Sequence, residues 1–401
     1  MAADDIGGKS APGTIGLSGP ERARGIAAVV SEHVAQSEEA RTLAAPIVAA
    51  LWDSGLMQIM NPKAAGGEEP SIGALIDTWQ ELAYQDGSVG WIGIANLPST
   101  AFAAAYLPED GFAEVFTAND NRVALGGQFA PNGLGTRVDG GYVVTGNWQF
   151  GSGTGHSEYV CGGFIPMDDG NMRMADNGLP EMLVGVFPRA EIAFTDGWFV
   201  QGLRGTGSYD YNVRDVFVPD RRVYPLFTRT PLRGGDLYRL GVLPLTAAGH
   251  AAWALGIARS ALDDVTEIAR SKIRMGDEST LAHRATFQRD LSHNEGMWRA
   301  ARALVVDAFE KVYGGIAAGE PLTPTRRADL RIAATYATET CREVVEFAHL
   351  AAGTTAIRDG SRIERAFRDM YTGTQHTFIG ERTYTDAAKL ALGLIEDSPA
   401  L

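Results

Sequence analysis

Along Gly140–His156, GGYVVTGNWQFGSGTGH, three side chains suited to a flat polar ligand stand at every second position: Trp148, Phe150 and Ser152. Tyr142, Val143 and Val144 follow the turn residues Asp139, Gly140 and Gly141, so a strand opens there. Gly151, Gly153 and Gly155 then strip side chains from around Ser152 and allow close approach to the backbone. Two aromatic faces, one hydroxyl and bare backbone suit an isoalloxazine, whose faces take apolar cover and whose N5 and carbonyl edge take hydrogen bonds. The plainer alternative is a glycine-rich turn beside a core tryptophan, and these residues alone leave both open.

The elements that must hold this stretch can be read from periodicity. From residue 19 to about 116 apolar positions recur at helical spacing, first at Ile26, Val29 and Val30, then at Ile47, Val48, Leu51 and Trp52, with Gly55 closing the second run. Ser71 caps a helix carrying Leu75, Ile76, Trp79 and Leu82, and residues 89–106 read as one more, buried between its neighbours. Around Asn119, Asp120 and Asn121 the pattern changes to short strands at 123–129, 142–150, 159–165, 182–187, 192–194 and 211–218, the spacing of a small barrel or sandwich. After Pro225 helices return at 236–273, 279–317, 323–352 and 370–394 and predict a four-helix bundle. The expected class is α+β: a flexible tail (1–18), an N-terminal helical domain (19–118), a central β domain (119–230) and a C-terminal bundle (231–401).

Composition narrows the function classes. A chain of 401 residues, 45% hydrophobic and 21% charged, can bury a large core. Its 35 Lys and Arg against 49 Asp and Glu leave a net charge of −14, which repels a phosphate backbone and argues against nucleic acid. Two cysteines far apart give neither a disulfide framework nor metal-ligand spacing, so no metal is expected and a cytoplasmic location is. No run approaches the ~20 apolar residues of a membrane span.

The order of helices, β domain and long helices resembles the acyl-CoA dehydrogenase superfamily over nearly the whole chain. Three motifs carry the resemblance in the family's order: Gly140–His156, then GLRGTGSYDYNVRDVFVP at Gly202–Pro219, then ERAFRDMYTGTQH at Glu364–His376. Dehydrogenases of this family need a carboxylate base for the proton α to a thioester carbonyl. Many carry it in a Glu-Gly-Thr segment, where this chain has Tyr371 to His376 without a Glu; others carry it on the first bundle helix, where Tyr238 stands and Asp236 is the nearest acid. The branch of flavin-dependent monooxygenases fits better. Trp148-x-Phe150-x-Ser152-Gly153, the Arg368-Asp369 pair with His376 seven residues after Asp369, and Gly87-Ser88-Val89-Gly90-Trp91 are all similar to its motifs.

This resemblance implies reduced flavin (FAD or FMN) supplied by a separate flavin reductase, O2 as co-substrate, a C4a-hydroperoxide, and a small aromatic or natural-product-like substrate. It implies catalytic roles for Ser152, at the flavin N5 region, and His376, as the proton-handling group. Cofactor contacts would come from Gln128, Phe129, Ala130, Trp148, Phe150, Ser152, Arg204 and Ser208. Lys272 and Arg274 stand where the family has a pyrophosphate-binding Arg, and His349 to Gly353 where a partner subunit reaches the cofactor, so a homo-oligomer, expected as a tetramer, would complete the site. Trp91, Asn96, Tyr238 and His376 would face substrate; Asn96 and Pro98 replace a substrate-binding His of several phenol hydroxylases. Trp148 as a core residue, Arg204 as a salt-bridge former and His156 as a turn-closing residue remain open. The rival readings are an acyl-CoA dehydrogenase or desaturase with a displaced base, and a non-catalytic flavin-binding member.

Overall fold

A computed structural model describes residues 16–195, 197–399 and 401; the predicted tail lies outside the described residues as far as residue 15. The N-terminal helices are α1 (Gly19–Gly25), α2 (Ala27–Ala40), α3 (Ala45–Asp53), α4 (Ile72–Gln85), α5 (Gly87–Gly90), α6 (Asn96–Tyr106) and α7 (Glu109–Val115). Local chemistry sets their starts: Ser18 and Glu21 form a capping box, Ser71 Oγ accepts from Ala74 N at 3.3 Å, and Asp86 caps α5. The single helix predicted over 89–106 is broken between α5 and α6. Pro98 has no N–H to return to the Ile94 carbonyl, and Ala95 leaves helical backbone at ψ −82.

Eight strands follow: β1 (Leu125–Val138), β2 (Gly141–Gly151), β3 (Tyr159–Asp168), β4 (Asn171–Met172), β5 (Leu183–Pro188), β6 (Ala193–Thr195), β7 (Tyr209–Pro219) and β8 (Val223–Pro225). They form one sheet in the order β6-β7-β2-β1-β3-β5-β8, with β4 against β3, so the expected barrel or sandwich is instead a single sheet with β6 and β8 at its edges. Among the described strands only the β1–β3 pair is parallel. β1 outruns its predicted end at residue 129, because Pro131 lies in a bulge: the register against β3 shifts between Gln128 and Gly133, and pairing then resumes through Gly133 and Gly135. One face of the sheet closes over its own core of Tyr142, Val144, Trp148, Phe164, Phe187 and Tyr211.

The C-terminal helices are α8 (Asp236–Arg239), α9 (Val242–Ser271), α10 (Ala285–Ala317), α11 (Pro324–Ala352), α12 (Arg362–Gly373) and α13 (Glu381–Ala391). The fourth predicted helix, 370–394, is therefore two, joined by residues 374–380. α12 begins earlier because Ile363, Ala366 and Met370 give it a buried stripe at helical spacing. It stops at Gly373, whose backbone lies so close to Trp253 that an added Cβ would come within 2.1 Å of the ring. The turn after Gly373 delivers His376 to the gap between the sheet and the bundle. Among the described residues no helix is long and apolar enough to cross a membrane.

Candidate active site

A cavity of ≈ 520 Å³ lies in that gap. Its sheet wall is made by Gly127–Asn132 of β1 and by Gln149, Phe150 and Ser152 at the end of β2; Trp91, Ile94 and Ala95 close one side, and Arg331, His376, Phe378 and Thr383 come from α11 and the segment around α13. The residues predicted to meet here that do so are Trp91, Gln128, Phe129, Ala130, Phe150, Ser152 and His376.

Ser152 is held by a directional hydrogen-bond chain. Trp91 Nε1 donates to Ser152 Oγ at 3.1 Å, and Ser208 Oγ donates to the same oxygen at 2.8 Å. Thr206 Oγ1 lies 2.7 Å behind Ser208 Oγ. With both lone pairs of Ser152 engaged, its own O–H remains as a donor on a residue that lines the cavity. Ser208 thus acts through Ser152 and does not line the cavity itself. Phe150 has φ +59, a left-handed backbone that a bulky residue adopts at a cost, and it pushes the phenyl ring out of the sheet to 61% exposure.

His376 has a defined tautomer. The Phe378 backbone N–H donates to Nδ1 at 3.3 Å, so in the neutral ring the proton sits on Nε2. Burial, aided by the Arg331 charge, lowers its pKa to about 4, and His250 next to it falls to about 3, chiefly from burial, so both are neutral at pH 7. Trp91 packs edge-on against His376 at 5.9 Å, His250 at 5.6 Å and Trp253 at 4.9 Å, which fixes the aromatic side of the cavity.

The motifs converge through side-chain to backbone contacts, those of Asp369 and Ser88 buried. Asp369 Oδ1 accepts from Leu203 N at 2.6 Å, Arg368 Nη1 donates to Gln201 O at 2.9 Å, and Gly205 N donates to Ser88 Oγ at 3.1 Å. α12 therefore positions the loop that carries Thr206 and Ser208. Burial beside the Asp86 carboxylate pushes Asp369 up to about 8.

Other predicted site residues fall elsewhere. Trp148 is not a ring-stacking residue: it is buried in the sheet core, stacked on Tyr211 at 5.2 Å, and its Nε1 donates to Ala130 O at 3.2 Å and Gly163 O at 3.0 Å. Its contribution is to hold the β1 bulge, as does Tyr211, whose hydroxyl accepts from Gln128 N at 2.9 Å. Asn96 does not face substrate; it is buried and braces the glycine turn, donating to Leu125 O and Gly153 O and facing His156 Nε2 at 3.0 Å. Gly153, at φ +76, could carry no Cβ without striking that amide at 2.3 Å. His156 closes this turn outside the cavity. Tyr238 is fully buried and donates to Met60 O at 2.7 Å, away from the cavity. Asp236, the nearest acid to the vacant base position, pairs with Arg239 at 2.8 Å and does not line the cavity either. Arg204 is exposed, its Nε donating to Val200 O at 3.2 Å, and it is not among the residues lining the cavity. Lys272, Arg274 and Gly353 gather at the C-terminal end of α11, where Lys272 Nζ donates to Thr355 Oγ1 at 2.9 Å and Arg274 Nη2 to Ala351 O at 3.0 Å. His349 stacks on Phe367 nearby at 4.1 Å. This cluster does not line the cavity.

No Asp or Glu lines the cavity among the described residues, while Arg331, Arg382 and His376 do. Arg331 was not foreseen, although an arginine on the same helical face as the buried Ala334 and Thr338 is a visible signal in the sequence.

Fold and site together define a three-part protein of N-terminal helices, central sheet and C-terminal bundle, with a cavity between sheet and bundle. Residues 248–381 match the acyl-CoA dehydrogenase C-terminal domain family. The chain is 30% identical over 352 residues, 87% of each chain, to the indole-3-acetate monooxygenase of Acinetobacter baumannii. The structure of 3-HSA hydroxylase from Rhodococcus sp. RHA1 superposes with a TM-score of 0.88 at 24% identity, covering 97% of this chain and 100% of that one. That of XiaF from Streptomyces sp., in complex with FADH2 and glycerol, gives 0.87 at 24% identity, covering 96% and 97%. The chain belongs to the acyl-CoA dehydrogenase-like superfamily, in its branch of flavin-dependent monooxygenases, and is an oxidoreductase of that kind.

Proposed function

We infer that this chain is the oxygenase component of a two-component system, receiving reduced flavin from a separate reductase and oxygenating a small aromatic substrate with O2. The observation that carries this reading is a cavity with a free hydroxyl proton at Ser152 on its sheet wall and no carboxylate in its described lining. A dehydrogenase would lack the base for its α-proton there. Among relatives, A. baumannii indole-3-acetate monooxygenase acts by its name on an aromatic compound, and the XiaF structure holds FADH2.

The residues present fit a flavin. The bulge at Gln128–Ala130 and the Ser152 hydroxyl would take its polar edge, and Phe150, Phe129 and Trp91 would cover its faces. When bound, reduced flavin supplies the electrons that activate O2. With a flavin bound, Ser152 would offer its proton to the polar edge, and the apolar lining of Ile94, Ala95, Met182 and Val242 would exclude water. His376 presents Nε2–H as the proton-handling group. The basic cluster Lys272 and Arg274 is offered for the phosphate end of FAD. Exposed Ile273, Met275, Leu350 and Ile357 around it support a homo-oligomer, proposed as a tetramer.

The test is His376→Ala mixed with reduced flavin, O2 and a panel of aromatics. Flavin affinity should stay within about twofold, while product falls by roughly 10²–10⁴ and electrons emerge as hydrogen peroxide. Unchanged product formation would remove His376 from the chemistry.

A further inference from the structure

Arg331 is a charge that the fold does not neutralise. It sits on α11, 4% exposed, and lines the cavity. Its Nη2 reaches Thr383 Oγ1 at 3.3 Å and its guanidinium lies 5.4 Å from the centre of the Phe378 ring. Nε and Nη1 are buried with no hydrogen-bond partner. No ion pair joins Arg331 to an acid among the described residues, unlike Arg382 beside it in the lining, whose Nε is 3.3 Å from Asp386. The neighbouring histidines are neutral and offer no counter-charge.

A buried cation without an anion is destabilising, and two orphaned donors add to that. In a chain of net charge −14, acids are abundant, yet none of those described is placed here. Such a group is stable only when a ligand brings the negative charge. The guanidinium is a planar fork that matches a carboxylate with two parallel N–H donors. It comes from the bundle beside Phe378 and lines the same cavity as Ser152 on the sheet wall.

Building on the aromatic-monooxygenase reading, we propose that Arg331 is the anchor for a carboxylate on the substrate, which is therefore an aromatic acid held by its charged end in the bundle and by its ring near Ser152 and Phe150. Arg331 is a binding and orienting residue: it sets which ring atom faces the oxygenating edge.

The test compares two ligands of one shape, indole-3-acetate and its uncharged amide, by calorimetry on the full chain without flavin. Wild type should bind the acid at least tenfold more tightly than the amide. Arg331→Gln should erase that preference by weakening the acid alone, and Arg331→Lys should keep part of it. Arg331→Met gives a readout free of any ligand: loss of an unpaired buried charge should raise the thermal midpoint of the ligand-free protein. Equal binding of acid and amide to wild type, or binding of neither, overturns the proposal. So does an Arg331→Gln protein whose affinity for dithionite-reduced FAD or FMN falls while its acid-to-amide ratio holds, since the guanidinium would then serve the cofactor. If reduced flavin still binds and O2 is still consumed while the acid fails, the carboxylate anchor falls alone; if reduced flavin does not bind at all, the monooxygenase site falls with it.

Discussion

Ser152→Ala removes one oxygen on which two buried donors depend. Trp91 is 6% exposed and Ser208 1% exposed, so neither recovers its hydrogen bond from bulk water. Ser208 can turn its proton to Thr206 Oγ1 at 2.7 Å, whereas the rigid Trp91 Nε1–H has no second acceptor among the described residues. The expected cost is therefore that of one orphaned donor, about 1–3 kcal/mol, and not twice that. Equilibrium denaturation of the single and double variants isolates the term. In a Trp91→Phe background the donor is already absent, so Ser152→Ala should cost less than about 1 kcal/mol. Equal costs in both backgrounds would show that no Trp91–Ser152 hydrogen bond exists and would end the case for a free Ser152 proton.

Asn96→Ala should lower stability by about 2–4 kcal/mol, since it strips a buried amide from the Gly153 turn, and leave substrate affinity nearly unchanged; a raised substrate Kd at wild-type stability would restore a ligand role. Stability should also peak near neutral pH. Burial holds His156 and His376 near pKa 4 and His250 near 3, so below 6.5 the unfolded chain takes protons that the folded chain refuses, and the stability present above 6.5 is lost as pH falls. Asp369, raised to about 8, acts in the opposite sense, binding a proton in the folded state between about 4 and 8. Three histidines against Asp369 leave at most two net protons, and Asp86 and Asp264, also raised by burial, reduce that further, so the slope near pH 5 stays below roughly 2.7 kcal/mol per pH unit and reverses above 6.5. A flat denaturation profile from pH 5 to 8 would contradict these burials.

Much of the site was legible because three local motifs fold onto one another. Glu364–His376 holds the 201–208 loop through Asp369 and Arg368, and that loop holds Ser152. Alternation along a strand misled where the strand stops being regular. At a period of two, Trp148, Phe150 and Ser152 would share a face. The register shift between Trp148 and Gly151, with the left-handed Phe150, instead turns Trp148 into the core and Phe150 into the cavity. Asn96 and Tyr238 misled for another reason. Their partners, Leu125, Gly153 and Met60, are distant in sequence, and nothing local announces that a polar side chain will be spent on bracing. Arg331 escaped because its meaning lies in the absence of an acid around it, and that absence exists only in three dimensions.

The most direct measurement is the source of oxygen in the product. The protein would be loaded anaerobically with reduced flavin and an aromatic acid, then mixed with 18O2, and the product analysed by mass spectrometry. One 18O atom should enter each product molecule, and an acyl-CoA thioester added anaerobically to oxidised-flavin protein should leave the flavin spectrum unbleached. Product carrying oxygen from water, or prompt bleaching by the thioester, would contradict the monooxygenase account and return the cavity to dehydrogenase chemistry.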